Sequence, residues 1–90
     1  MATSSFDLHI PAVRTAATRA VQYCPVTGRR PQLADRADAV AEGIAAAFAA
    51  FDEDDTLTQA QLAWLAIKHA ELYLAALARR MRREVPVGIH

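Results

Sequence analysis

One cysteine, three glycines, four prolines and a single tryptophan occur in 90 residues, and each scarcity closes off a class of protein. Cys24 alone cannot form an internal disulfide, so the chain is not a small secreted scaffold held by disulfides. No basic n-region followed by an apolar stretch opens the chain, and a reducing, cytoplasmic compartment is the expectation. The longest strongly apolar run, Leu72 to Ala78, falls far short of the roughly 20 residues a membrane-spanning helix needs, so no membrane role is expected. β-Branched residues never cluster as sheet strands require. There is no glycine-rich phosphate loop, the three histidines (His9, His69 and His90) are dispersed, and their spacing to Cys24 matches no zinc site. Cys24 has no adjacent base. The expectation is a protein that is not an enzyme and needs neither cofactor nor metal.

What the chain does have is alanine: 21 residues, against 26 of Val, Ile, Leu, Met, Phe, Trp and Tyr together. Such a core is thin and close-packed, and with Leu, Gln and Arg abundant it favours helices. The sequence predicts one all-α domain over residues 1–90, a small three-helix bundle. A chain this short buries only a modest share of its surface, so a second copy or a partner would add to its stability.

Three helices are predicted, at about 11–23, 34–51 and 58–83. The first opens with Pro11 in a first-turn position and gathers Val13, Ala17, Ala20, Val21 and Cys24 on one face, until Pro25 disfavours helical geometry at Cys24. In the second, Leu33, Ala37, Val40, Ile44, Phe48 and Phe51 form a stripe opposite Asp35, Asp38 and Glu42. Ala39, Gly43 and Ala47 flank that stripe at four-residue steps and would let another helix approach closely, offsetting the roughly 1 kcal/mol that glycine costs inside a helix. The third has the strongest start signal: Thr58 and Gln61 fit a capping box, with Leu57 and Leu62 at the two positions of a hydrophobic staple. Its apolar residues cover more than half its circumference, leaving Lys68, Glu71 and Arg79 as a polar strip. It should touch two neighbours, or one neighbour and another subunit, and a homodimer through it is expected. His69 falls on its apolar side. The flanking segments "FDLHI" and "VPVGIH" alternate apolar and polar residues and are expected to be short extended arms.

The stretch "FDEDDTLTQAQL", residues 51–62, places Asp52, Glu53, Asp54 and Asp55 between the second and third helices. It resembles the calcium loop of an EF-hand, with Thr56, Leu57 and Thr58 falling as in the sequence D-G-T-L-T. An EF-hand loop needs oxygen ligands at positions 1, 3 and 5, glycine at 6 and a bidentate Glu at 12. This chain has Ala50 at the first, Asp55 in place of the glycine and Gln61 in place of the Glu. A degenerate calcium binder is therefore a minor alternative to a solvated connection or to an acidic surface that meets a basic partner.

Formal charge is zero, but it is laid out in blocks. Residues 1–30 carry four arginines against Asp7, a balance of +3; residues 31–60 carry Arg36 against seven acids, −6; residues 61–90 carry five bases against Glu71 and Glu84, +3. An antiparallel pairing of the last two helices puts the acids at one pole and Arg79, Arg80, Arg82 and Arg83 at the other, about 35 Å away by helix rise, with Arg29 and Arg30 brought towards the basic end. Trp64 stands at the border of the polar strip, where Lys68 can lie over its ring or a partner can be anchored.

The function expected is protein–protein contact: a small adaptor, regulator or inhibitor, of the size many phages and bacteria encode, acting through the acidic tip, the broad apolar helix, or both. The candidate contact residues are Asp52, Glu53, Asp54, Asp55, Trp64, Arg79, Arg80, Arg82 and Arg83. The alternative is a nucleic-acid-associated regulator that uses the arginine pole. No helix-turn-helix pattern or exposed aromatic series supports that alternative.

Overall fold

Thr58 fixes where the longest helix begins. Its Oγ1 accepts the Gln61 N–H (3.2 Å) while Gln61 Oε1 accepts the Thr58 N–H (2.8 Å), the reciprocal pair of a capping box. The computed structural model describes residues 6–83, with side-chain surroundings for residues 6–80. Within them lie three helices, α1 (Phe6–Ala20), α2 (Leu33–Glu53) and α3 (Gln59–Arg83). They form the expected all-α three-helix bundle, and no strand occurs among the described residues. The second and third helices start and stop within two residues of the predicted limits.

The first helix departs further from expectation, because Phe6–Ile10 is helical and not an extended arm. A strand would place Phe6, Leu8 and Ile10 on one side, yet Phe6 is buried while Leu8 is 78% exposed. The decisive spacing is Phe6, Ile10, Val13, Ala17, which is a helical face. Phe6 is held there by tertiary contact, its ring lying 5.2 Å from that of Phe48 and 5.7 Å from that of Phe51. Pro11 sits inside the helix, where it lacks the N–H that would have bonded to the Asp7 carbonyl. The helix closes at Ala20, short of the predicted residue 23, with one further bond from the Val21 N–H to the Ala17 carbonyl at 3.1 Å. The expected C-terminal arm, residues 85–90, lies outside the described residues.

Contacts at both ends set the topology. Phe6 meets the end of α2, and His9 Nδ1–H donates to Gln59 Oε1 (3.2 Å) at the start of α3. At the other end, the Cys24 thiol donates to the Leu74 carbonyl (3.9 Å). So α2 runs antiparallel to both α1 and α3, and the α2–α3 connection forms one pole.

The α2–α3 packing follows the small-residue flank and not the large apolar stripe. Ala39, Gly43, Ala47 and Phe51 are buried on α2, against Leu62, Ala66, Ala70 and Leu74 on α3. A Cβ on Gly43 would collide with the Ala66 carbonyl oxygen and lie 3.1 Å from its carbon. Of the predicted apolar stripe Phe51 is buried, but the rest is displaced outward: Leu33 is 72% exposed, Ala37 and Phe48 are exposed, and Val40 and Ile44 are half-buried. Its physical reason is that backbones approach more closely over Ala and Gly, and the dispersion gained along the whole contact outweighs burying a few larger side chains. The core divides into a cluster near the acidic pole, built on Phe6, Val13, Phe51 and Leu62, and a smaller one of Val21, Cys24, Ala39, Ala70 and Leu74, with Val40 against both.

Candidate functional site

The acidic pole begins inside α2, whose last turn contains Asp52 and Glu53. Asp54 caps the helix in extended geometry, its N–H donating to the Ala50 carbonyl at 2.9 Å. Its carboxylate then turns the chain: Asp54 Oδ1 accepts the Thr56 hydroxyl (2.5 Å) and the Thr56 N–H (3.1 Å), and its carbonyl accepts the Leu57 N–H (3.3 Å). Hydrogen bonding to the carboxylate stabilises its charged form, so the hydroxyl and then the amide of Thr56 hold Asp54 below its ordinary value, against a small opposing effect of burial. Asp54 thus has a structural task that the sequence did not reveal, whereas Asp52, Glu53 and Asp55 are simply exposed. Among the described residues, no three His, Cys, Asp or Glu side chains group as a metal ion would require.

From the tip, α3 carries the expected staple, with Leu62 buried and Leu57 packed against the same cluster. Its outer face is less polar than a solvated surface. Trp64 is 58% exposed and Leu72 50%, in one row with Lys68, Ala76 and Arg79. Lys68 Nζ lies 5.6 Å from the centre of the Trp64 ring, within reach of a cation–π attraction. His69 lies on the same side, exposed and outside the core. Trp64 also borders a shallow hollow with Leu57, Ala60, Gln61 and Leu65, so it packs beside the α2–α3 connection while leaving most of its ring uncovered.

At the opposite pole, Arg29 and Arg30 line a groove of about 440 Å³ with Cys24, Thr27, Asp35, Leu74 and Leu77. Arg79 and Arg80 are exposed on the turn of α3 that follows, and residues 82 and 83 complete the helix. The basic residues of the α1–α2 connection and of α3 are thereby brought to one end, as the charge blocks suggested.

Two features were missed in the sequence. In the α1–α2 connection the Cys24 N–H donates to the Arg29 carbonyl and the Gly28 N–H to the Cys24 carbonyl, both at 2.8 Å, with Gly28 at φ +72° in the left-handed region that favours glycine. Burial pushes the Cys24 thiol up, but the Thr27 and Val26 amides and the Thr27 hydroxyl together bring it below its ordinary 9.0. The signal available was a cysteine four residues before a turn glycine. The second is an apolar groove between α1 and α2, lined by Phe6, Ile10, Val40, Ile44 and Phe48, which exists because the large stripe of α2 turns away from α3.

Comparison with protein-family models, with curated proteins and with solved structures finds no match to this chain.

Proposed function

We propose that the protein acts by contact with other protein surfaces, as an adaptor, regulator or inhibitor without catalysis of its own. The observation that supports this is the outer face of α3, where Trp64 and Leu72 stand uncovered in a row edged by Lys68 and Arg79. Large apolar side chains gathered on one exposed helical face and rimmed by charge are the usual anatomy of a contact surface, and tryptophan is the residue most often found at its energetic centre. The acids of the tip flank one end of this face and extend it electrostatically. A cytoplasmic setting is proposed with it, on the single free thiol. No helix of the described residues is long and apolar enough to cross a membrane.

The test compares what tagged wild-type protein retains from an extract of its own cells with what is retained by Trp64→Ala, and by Asp52→Asn with Glu53→Gln and Asp55→Asn. Loss of a specific protein on either change supports the reading. Retention of every bound protein by both variants overturns it.

The clustering of Arg29, Arg30, Arg79 and Arg80 at one end favours a second reading, in which that pole neutralises the phosphates of a nucleic acid. Such binding weakens by orders of magnitude between about 50 and 200 mM salt when several phosphates are engaged. It is expected to vanish in Arg79→Glu with Arg80→Glu, and the absence of any complex at low salt would sink it.

A further inference from the structure

The row Trp64, Lys68, Leu72, Ala76 is turned away from α1 and α2, and what covers it is decided by the ends of the helix that carries it. Before α3 stand Asp52, Glu53, Asp54 and Asp55, all exposed; its final turns hold Arg79 and Arg80, also exposed, and then residues 82 and 83, both arginine. The helix between is about 37 Å long at 1.5 Å per residue, several Debye lengths at physiological salt. The two poles of one molecule therefore cannot neutralise each other. Two molecules can.

We infer that the outer face of α3 is an interface between two copies of this chain, packed antiparallel so that each acidic tip meets the other copy's arginine end. This rests on the reading of that face as a contact surface and names its occupant. Parallel packing would set four acids against four acids and arginines against arginines. Antiparallel packing brings opposite charges together at both ends and also opposes the two helix dipoles favourably. A two-fold axis makes each contact occur twice, so both gains are doubled. The row fits such an axis, since its midpoint lies level with residue 70, one residue from the midpoint of α3. About that point Trp64 of one copy faces Ala76 of the other, large against small, and the Lys68 stem faces Leu72.

The experiment measures the mass of the full chain by sedimentation equilibrium from about 5 to 500 µM, with circular dichroism to establish that each variant keeps wild-type helicity. A monomer–dimer equilibrium is expected, weakened at least about tenfold by Trp64→Ala, whose side chain is an exposed anchor. Added salt should weaken it too, because the Debye length shortens from about 10 Å at 0.1 M to about 3 Å at 1 M. Glu53→Lys with Asp55→Lys, and Arg79→Glu with Arg80→Glu, should each lose the dimer, and an equimolar mixture of the two should regain it. Orientation is read from a spin label at Ala60→Cys in a Cys24→Ala background. Antiparallel packing about residue 70 separates the two labels by about 30 Å, whereas parallel packing brings them to about the 10 Å of adjacent helices. A monomer at every concentration, a short label distance, or a dimer indifferent to Trp64→Ala and to charge reversal would each overturn the inference. A monomer that still loses a bound protein on Trp64→Ala overturns only the second copy and leaves the contact reading standing.

Discussion

Gly43 and the carbonyl of Ala66 set the distance between the two longest helices. A methyl group on residue 43 would meet backbone, which cannot rotate aside as a side chain can. Gly43→Ala should therefore destabilise the fold by about 1–3 kcal/mol, the usual cost of overpacking, although alanine favours an isolated helix by about 1 kcal/mol. Urea denaturation monitored by circular dichroism measures the sign, and a stabilised variant would refute the close approach. The capping pair gives a second prediction at this scale. Thr58→Ala should cost about 1 kcal/mol, and the double variant with Gln61→Ala should cost less than the two single changes added together, because the two side chains satisfy one another's amides. Both residues were legible in the sequence, since a capping box and a small-residue flank are local patterns with local causes.

At the scale of elements, α1 depends on its first residue. Phe6 is among the largest fully buried side chains and touches Phe48 and Phe51, so Phe6→Ala should remove about 3 kcal/mol, at the low end for a core phenylalanine because the site is at a helix end. Loss of the α1 amides' hydrogen-exchange protection would accompany it. The turn between α2 and α3 predicts a pH effect. Asp54 is held below its ordinary 3.8 in the folded state; its contribution is fully present above that value and is lost as pH falls through the lower folded one. Asp54→Asn should flatten this acid-range decline in the denaturation midpoint, while Asp55→Asn, whose side chain turns to solvent without these hydrogen bonds, serves as the control. The sequence showed four equivalent acids here, because nothing in "DEDD" indicates which carboxylate will face the Thr56 amide. It also misjudged α2: in an alanine-rich helix several faces are apolar, and summed hydrophobicity favours the face with the larger side chains, whereas packing selected the face with the closer backbone.

For the whole molecule, zero net charge conceals a pole of each sign, and a small core leaves apolar surface on two sides, over α3 and between α1 and α2. The antiparallel association proposed for α3 would couple folding to concentration, since dimerisation stabilises the native state and not the unfolded chain. The thermal midpoint should rise by about 3–5 °C for each tenfold increase in protein concentration, and scanning calorimetry at several concentrations checks it. In Trp64→Ala the rise should set in only at concentrations at least about tenfold higher, in step with the weaker dimer.

The sequence by itself determined the three helices, the start of α3, the small-residue seam and the separation of charge, because each depends on residues near one another along the chain. The tertiary structure decided the rest. It made residues 6–10 helical by docking Phe6 on two rings of α2, turned Leu33 and Phe48 outward, assigned Asp54 to the turn, and left Trp64, Leu72 and His69 on an open face. These are outcomes of competition between surfaces for a limited interior, and a linear pattern records which faces are apolar but not which of them finds the closer neighbour.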